Sequence, residues 1–315
     1  MPETPGTTIQ ARIEKLGLFG VLPAAALLSQ FDSGQISSPD SREKLLELWK
    51  KSNLGFSRSG APSRSFANET NLRPLDSASS ETMRTILERL RNYPPFDSHP
   101  TALYSVDVNK LVTPQLVVNV DRMSRRGAFK KDASEANLLN LFFEPGGSPE
   151  TVNRQVIGIG QNGGSVMYTS FDEDIRLHQP PLFRQIPVSE TDRRSVSLDS
   201  ICFPVGGGTP FAWAIKVPIA PGIFRLLLAN GIHRAVAAAA AGLDSIPLAV
   251  CEFSPLEIPD PFVELPRGLL LELNSNAPMI VDFTNPELAL RIQFYRQLRT
   301  VRFNWNFEQY AVALK

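Results

Sequence analysis

Residues 224–234 read FRLLLANGIHR, and this stretch decides the fold of the chain. An alanine-rich run follows as far as Gly242, and an apolar run, IPLAV, begins at Ile246. Asn230 and Gly231 tolerate positive φ and allow a sharp turn, while alanines favour a helix with little side-chain bulk. Gly242 suits the left-handed position that ends a helix. The stretch therefore predicts a strand, a tight turn, a helix lying close to a sheet, and a second strand.

The composition is that of an ordinary globular protein with a sizeable core. A length of 315 residues allows one large or two modest domains. The 32 Lys and Arg residues equal the 32 Asp and Glu residues, so the net charge does not support binding to nucleic acid or an anionic membrane. This balance of charges does not exclude a local basic patch. No run is long and apolar enough to span a bilayer, and Pro23 interrupts the apolar residues 16–28, so we expect a cytoplasmic protein.

The cysteines and histidines do not indicate a metal site. Cys202 and Cys251 each lie in an apolar run typical of a strand. We interpret both as buried small hydrophobic residues, with a disulfide as the alternative. His99, His178 and His233 are widely separated, and the sequence has no metal-ligand spacing.

Residues 1–100 are predicted to form a helical N-terminal arm. One helix is expected at residues 42–51, and a second at residues 83–90, where apolar residues recur with helical spacing. The polar residues 52–73 between them indicate an irregular connection. Because the arm lacks long core strands, we expect it to wrap the body or to meet a partner.

Residues 101–315 are predicted to form an α+β body, a mixed or antiparallel sheet with packed helices. A helix is expected at residues 132–143, and a final helix from Asn285, which precedes Pro286. Asn162-Gly163 favours a hairpin between residues 152–160 and 165–170. Further strands are predicted at residues 103–108, 115–120, 196–203, 211–219, 268–273 and 279–283, of which 196–203 and 211–219 would form a second hairpin around three glycines.

Asn230-Gly231-Ile232-His233-Arg234, the small-residue helix, Gly-Leu-Asp and Ile-Pro together resemble the ParB/sulfiredoxin-like superfamily. Members of that superfamily carry a Gly-x-His-Arg turn that opens a helix, then a Leu-Gly-plus-acidic segment and a strand starting Ile-Pro. Residues 106–111, VDVNKL, are similar to an earlier hallmark strand of the family. The resemblance covers residues 226–250, with residues 104–111 as weaker support.

The resemblance implies a nucleotide or phosphate site at this turn, with ATP or CTP and Mg²⁺ as candidate cofactors. Gly231, next to Asn230, would let the backbone approach the phosphate, and His233 and Arg234 would donate to its oxygens. A helix N-terminus with charged donors suits such an anion. A phosphotransferase would also need a carboxylate, for which Asp107 is the candidate catalytic residue, with Asp244 second.

Departures of this sequence from the family pattern reduce the number of family activities that we expect from the chain. Ile232 stands where the sulfiredoxin branch has its reactive Cys, so peroxiredoxin repair is not expected. The sequence also lacks the Asn-Pro-x-x-Pro-Arg and Gly-Glu-Arg-Arg elements of CTP-gated DNA clamps.

Two functions follow from these observations. One is nucleotide or phosphate binding at the turn, with phosphotransfer as its extension. The other is a non-catalytic structural or adaptor component of a larger protein assembly, in which His233 and Arg234 only cap or salt-bridge a buried helix start. A protein partner would then bind the N-terminal arm or the aromatic run at residues 303–310.

Overall fold

The computed structural model describes residues 12–38, 41–59, 62–75, 80–91, 95–125, 129–143, 153–160, 163–170, 176–177, 182–186, 198–202, 205–206 and 211–306. The chain divides into two compact units. The first unit contains residues 1–147 and 209–296, and the second contains residues 148–208 and 297–315.

Helices and strands alternate irregularly along the chain. The helices are α1 Ala24–Asp32, α2 Arg42–Arg58, α3 Ser80–Leu90, α4 Val120–Arg125, α5 Glu135–Phe143, α6 Ile232–Ala240 and α7 Arg267–Leu271. The strands are β1 Arg12–Gly17, β2 Ile36–Ser38, β3 Leu72–Pro74, β4 Thr101–Asp107, β5 Leu111–Val112, β6 Val117–Asn119, β7 Asn153–Gly160, β8 Gly163–Ser170, β9 Arg176–Leu177, β10 Leu182–Ile186, β11 Leu198–Cys202, β12 Val205–Gly206, β13 Trp213–Ala220, β14 Ile223–Asn230, β15 Ser245–Glu252, β16 Leu290–Tyr295 and β17 Arg299–Asn306.

The first unit is built on a mixed six-stranded sheet in the order β3-β4-β15-β13-β14-β5. Two of its pairings, β13 with β15 and β14 with β5, are parallel, and the others are antiparallel. Its strands contribute fully buried residues such as Val106, Leu227 and Leu248 to the larger hydrophobic core. The predicted α+β class, a mixed or antiparallel sheet with packed helices, is confirmed.

The stretch that decides the fold forms the predicted strand, turn, helix and strand. Strand β14 ends at Asn230, Gly231 takes a φ of 97°, and α6 begins at the next residue. Ala235 and Ala238 of α6 are fully buried, because small side chains let the helix lie close to the sheet. Gly242 has a φ of 77° after the helix, as a left-handed helix end requires.

Strands from residues 12–75 belong to the sheets of the first unit. Strand β1 lies between β16 and β6 in a four-stranded sheet, and β3 pairs with β4 at the edge of the six-stranded sheet. Helix α2 continues to Arg58, so the irregular connection predicted from residue 52 is wrong over its first seven residues. Ser52 lies on the buried side of that added length and donates from Oγ to the Leu288 carbonyl at 2.6 Å. The expectation that residues 1–100 meet a partner stays a prediction.

The final helix predicted from Asn285 is wrong. Residues 290–295 form β16, which pairs with β1 and β2. Apolar residues stand at every second position of this strand, where Ile292 and Phe294 are buried and Arg291 is exposed. That alternation is the period of a half-buried strand.

Three other predicted elements also differ. Residues 268–273 and 279–283 were expected as strands, but α7 and a 3₁₀ helix at Ile280–Thr284 occupy them. The hairpin predicted between residues 196–203 and 211–219 is wrong, since β11 pairs with β10 while β13 pairs with β14 and β15. Strand β13 thus pairs with the strand that directly follows it, after a turn at residues 221–222, and not with the strand before it.

The second unit contains a three-stranded antiparallel sheet in the order β17-β8-β7. The predicted hairpin between β7 and β8 is confirmed, with residues 161–162 of its turn outside the described residues. Of the two cysteines, Cys251 is buried in the first unit, whereas the burial of Cys202 lies outside the described residues. Within the described part of the chain, helices fall short of the length and apolarity needed to cross a membrane.

Candidate functional site

The turn at Asn230 and Gly231 is fixed against the start of the neighbouring strand. The Asn230 side chain donates from Nδ2 to the Phe211 carbonyl. A Cβ atom on Gly231 would lie 2.6 Å from the Cβ of Ala212, and the φ of 97° also favours glycine. Glycine is therefore required here both for its backbone conformation and for the space next to Ala212.

Arg234 is directed into the interior of the first unit. Its side chain is 6% exposed, and Nη1 donates to the Phe142 carbonyl at 2.6 Å. Phe142 lies in the last turn of α5, where carbonyl groups have no partner inside the helix and attract a positive charge. Arg234 thus caps the C-terminus of α5, and this donor is used within the fold.

His233 acts as an acceptor. Its Nε2 accepts a hydrogen bond from the backbone N–H of Asn119 at 3.1 Å. An accepting ring nitrogen carries no proton, so in this arrangement Nε2 cannot donate to a phosphate oxygen. The two side chains that the resemblance assigns to phosphate binding therefore both contact the backbone of the first unit.

Asp107 lies far from the turn. In the register of the six-stranded sheet, Asp107 is opposite Ser245, whereas Asn230 is level with Ala249 across β13. Four residues along the strands and three strand spacings across the sheet separate Asp107 from Asn230 by about 20 Å. The structure brings Asn230, Gly231, His233 and Arg234 together, and it does not bring Asp107 to them.

Asp107 instead shares a polar cavity with Asp244, the other carboxylate considered from the sequence. The cavity has a volume of about 430 Å³ and is lined by Thr70, Asn71, Arg73, Asp107, Asn109, Asp244 and Ser245. Asp107 Oδ1 accepts from the Asn109 N–H at 2.9 Å, and Oδ2 accepts from Asn71 Nδ2 at 3.1 Å. Two carboxylates beside one arginine disfavour a phosphate, so this cavity does not replace the predicted site.

Arg225, inside the decisive stretch, has a structural role that sequence reasoning missed. Its side chain is fully buried, and burial lowers its pKa to about 10. Its donors reach the end of α7 and the turn that follows, at the Leu269, Leu270, Glu272 and Ser275 carbonyls and the Ser275 hydroxyl. The signal in the sequence is one arginine in an otherwise apolar strand, which a buried cation can occupy only with such acceptors.

A second missed contact ties the polar residues 62–75 to the body of the first unit. Arg64 donates from Nη1 and Nη2 to the two carboxylate oxygens of Asp282, at 2.7 and 2.8 Å. Asp282 is 3% exposed, and its Oδ2 also accepts from the Met279 N–H at 2.8 Å. A bidentate pair of this kind fixes its partners in one geometry.

Comparison with known proteins neither supports nor contradicts the resemblance to the ParB/sulfiredoxin-like superfamily. No family model, no curated protein and no solved structure matches the chain. Membership of the ParB/sulfiredoxin-like superfamily therefore stays a prediction. Within the described residues, no three His, Cys, Asp or Glu side chains are grouped so that they could hold a metal ion.

Proposed function

We propose that this chain is a non-catalytic structural or adaptor component of a larger protein assembly. The observation that carries the proposal is the use of the two predicted phosphate ligands inside the fold. Arg234 donates to the Phe142 carbonyl, and His233 accepts from the Asn119 N–H. Both contacts stabilise the first unit, as expected if the turn is a fold element. The cytoplasmic location expected from the sequence is part of this proposal.

One loop of the first unit supports a contact role. Val263 has a φ of 57° and is 54% exposed, and Leu256, seven residues earlier, is 87% exposed. A β-branched residue in the left-handed region costs about 1–3 kcal/mol, and such strain clusters at functional sites. The loop therefore presents apolar side chains to solvent at a cost in stability.

The same loop is held in place by its neighbours. Phe262 and Leu265 exchange backbone hydrogen bonds of 2.9 and 3.1 Å. Glu264, between them, accepts from the Leu116 N–H at 2.7 Å and donates its own N–H to the Pro114 carbonyl. A preorganised apolar contact loses little conformational entropy when a partner binds it.

The adaptor proposal is tested by parallel affinity capture with the wild-type chain and a Leu256→Ser/Val263→Gly variant. We expect a protein that the wild type retains and the double variant loses, with both chains equally folded by circular dichroism. If the wild type and the double variant capture the same proteins, this loop is not the contact surface. A Leu298→Ser variant, which changes an exposed apolar residue elsewhere, is the matched control.

A second candidate, binding of a nucleotide or phosphate group at the start of α6, is favoured by one observation. The N-cap of this nine-residue helix is Gly231, which has no side chain to accept from the first N–H groups. Calorimetric titration with ATP, CTP and ADP plus Mg²⁺ tests this function. A heat of binding that disappears in His233→Glu would support nucleotide binding. No heat with any of the three nucleotides would contradict nucleotide binding and favour the adaptor proposal.

A further inference from the structure

The polar cavity lies on one face of the six-stranded sheet, at the edge formed by β3. Asp107 on β4 pairs with Ser245 on β15, and Arg73 on β3 pairs with Ser105, which is two residues before Asp107. Residues paired directly across strands, and residues two apart on a strand, share a face of the sheet. Three neighbouring strands thus contribute to one space of about 430 Å³, which is within the volume range of small-molecule sites.

The lining of the polar cavity is polar throughout. The described residues that line it carry carboxylate, amide, hydroxyl or guanidinium groups, and none of them is apolar or aromatic. An apolar ligand would bury little of its surface against apolar atoms here, so it would gain little free energy from leaving water. The cavity therefore favours a small ligand that carries charged groups.

Two charged side chains of the polar cavity are held in position by their neighbours. Asp107 Oδ1 accepts from the Asn109 N–H at 2.9 Å, and Oδ2 accepts from Asn71 Nδ2 at 3.1 Å. Arg73 Nη2 donates to Ser245 Oγ at 2.9 Å. A ligand that binds them therefore costs little side-chain entropy, because these groups are already ordered.

The charges of the polar cavity are not neutralised by the fold. Asp244 is exposed, and its carboxylate makes no hydrogen bond or ion pair with the described residues. Nε and Nη1 of Arg73 also have no partner in that part of the chain, and Asp107 Oδ2 can accept a second hydrogen bond. Within the described residues, Arg73 forms no ion pair with either carboxylate. The cavity thus offers two negative charges and one positive charge to a ligand.

We propose that the polar cavity binds a free basic amino acid, arginine or lysine. At neutral pH such a ligand carries one carboxylate and two cationic groups, which is the opposite of the charge pattern of the cavity. Its carboxylate accepts from the available nitrogens of Arg73, and its two cationic groups donate to Asp107 and Asp244. This site is independent of the adaptor proposal, which uses Leu256 and Val263, and goes beyond it.

The same charges disfavour other small ligands. Arg73 repels a bare metal ion, and the described residues contain no group of three His, Cys, Asp or Glu side chains that could hold one. An acidic amino acid brings its second carboxylate against Asp107 or Asp244. A neutral amino acid has only one cationic group, so one of the two carboxylates stays without a counter-charge.

The proposal is tested by calorimetric titration of the full chain with L-arginine and L-lysine at low salt. Two analogues of arginine separate its charges: L-citrulline has an uncharged group in place of the guanidinium, and agmatine lacks the carboxylate. We expect each analogue to bind about fivefold more weakly than L-arginine, since the loss of one solvent-exposed ion pair has an effect of at most that size.

Two variants test the residues of the cavity. Asp244→Asn removes a charge without removing a contact of the described fold, so we expect an unchanged melting temperature and about fivefold weaker binding of L-arginine. Arg73→Gln should weaken binding of L-arginine by a similar factor and leave binding of agmatine nearly unchanged. Asp97→Asn and Arg58→Gln make the same substitutions at exposed positions outside the cavity, and both should bind as the wild type does.

Several results would overturn the proposal. One is the absence of heat with both amino acids up to about 10 mM, which excludes a Kd of about 1 mM or tighter. Equal affinities of L-arginine, L-citrulline and agmatine would show that the charges of the ligand are not recognised. Equal weakening by Asp244→Asn and Asp97→Asn would place the site elsewhere, and heat with calcium chloride that Asp244→Asn abolishes would assign the cavity to a cation. Thermal melting of every variant shows whether a loss of binding reflects a loss of fold.

Discussion

The turn at α6 and the polar cavity each contain an arginine, and they use it in opposite ways. At the turn, Arg234 is 6% exposed, its guanidinium carbon lies 6.0 Å from the centre of the Phe142 ring, and it donates to the carbonyl of the same residue. In the polar cavity, Arg73 and Asp244 are exposed to solvent. A ligand can use only groups that the fold leaves accessible. The comparison teaches that the side chains of a motif predicted to bind a ligand can form hydrogen bonds inside the fold.

The strongest way to break this comparison is to remove a buried arginine. Arg225→Leu removes the donor to the Leu270 and Ser275 carbonyls, whereas the Leu269 and Glu272 carbonyls keep a bond from Ser275. We expect a loss of about 3–4 kcal/mol in the free energy of unfolding. Arg302→Leu, the same substitution at an exposed position, should change it by less than about 0.5 kcal/mol. Urea denaturation of both variants measures the difference. Similar values for the two would mean that the buried contacts of Arg225 contribute little.

Arg234→Ala sharpens the same comparison at the turn itself. The substitution removes the charged donor to the Phe142 carbonyl, which keeps a bond from the Ala212 N–H at 3.1 Å. The loss of that charge-assisted bond should cost about 2 kcal/mol and weaken the C-terminal turn of α5. Hydrogen exchange should show faster exchange at residues 139–143, while binding of L-arginine stays as in the wild type. Unchanged stability combined with a loss of nucleotide binding would return the turn to the role of a ligand site.

How far the sequence could predict this molecule depends on whether the partners are local. The run through Gly231 and Gly242 was predictable because glycine conformation and alanine helix propensity act within a few residues. Residues 290–295 were predicted as a helix because Leu288, Ile292 and Tyr295 also fit helical spacing. Their pairing partner β1 begins at residue 12, and a local sequence pattern does not predict pairing between segments so far apart in the chain.

The candidate site follows the same rule. The sequence placed His233 and Arg234 at a helix start, and the structure has them there. Their hydrogen-bond partners, Asn119 and Phe142, lie 114 and 92 residues away along the chain. A motif in the sequence gives the position of a hydrogen-bond donor, but it does not show which acceptor that donor contacts in the fold. The contact that decides between ligand binding and capping is therefore the part that sequence cannot supply.

The strained loop gives a smaller and opposite effect. Val263→Gly relieves a backbone conformation that valine rarely adopts, and the gain exceeds the added flexibility of glycine in the unfolded chain. We expect the free energy of unfolding to rise by about 1 kcal/mol. Val263→Ala keeps most of the strain and should leave stability nearly unchanged. If Val263→Gly lowered stability, the exposed valine would contribute to the fold and its use as a contact would lose support.

The smallest expected effect concerns acid pH and a contact outside both regions. His99 Nε2 lies 3.0 Å from Glu257 Oε1. Hydrogen bonds from His99 and from Ser254 lower the pKa of Glu257 to about 2 from its ordinary value of 4.5. Because the folded-state pKa is depressed, the contribution of Glu257 to stability is complete above pH 4.5 and is lost as the pH falls through about 2.

Glu257→Gln isolates this contribution from that of other carboxylates. The difference in unfolding free energy between wild type and variant should shrink as the pH falls from 4.5 toward 2. Carbon-13 NMR of the Glu257 carboxyl in the folded chain measures the same pKa directly. An apparent pKa near 4.5 would contradict the contact with His99. Both residues belong to the first unit, so this variant tests the acid response of that unit.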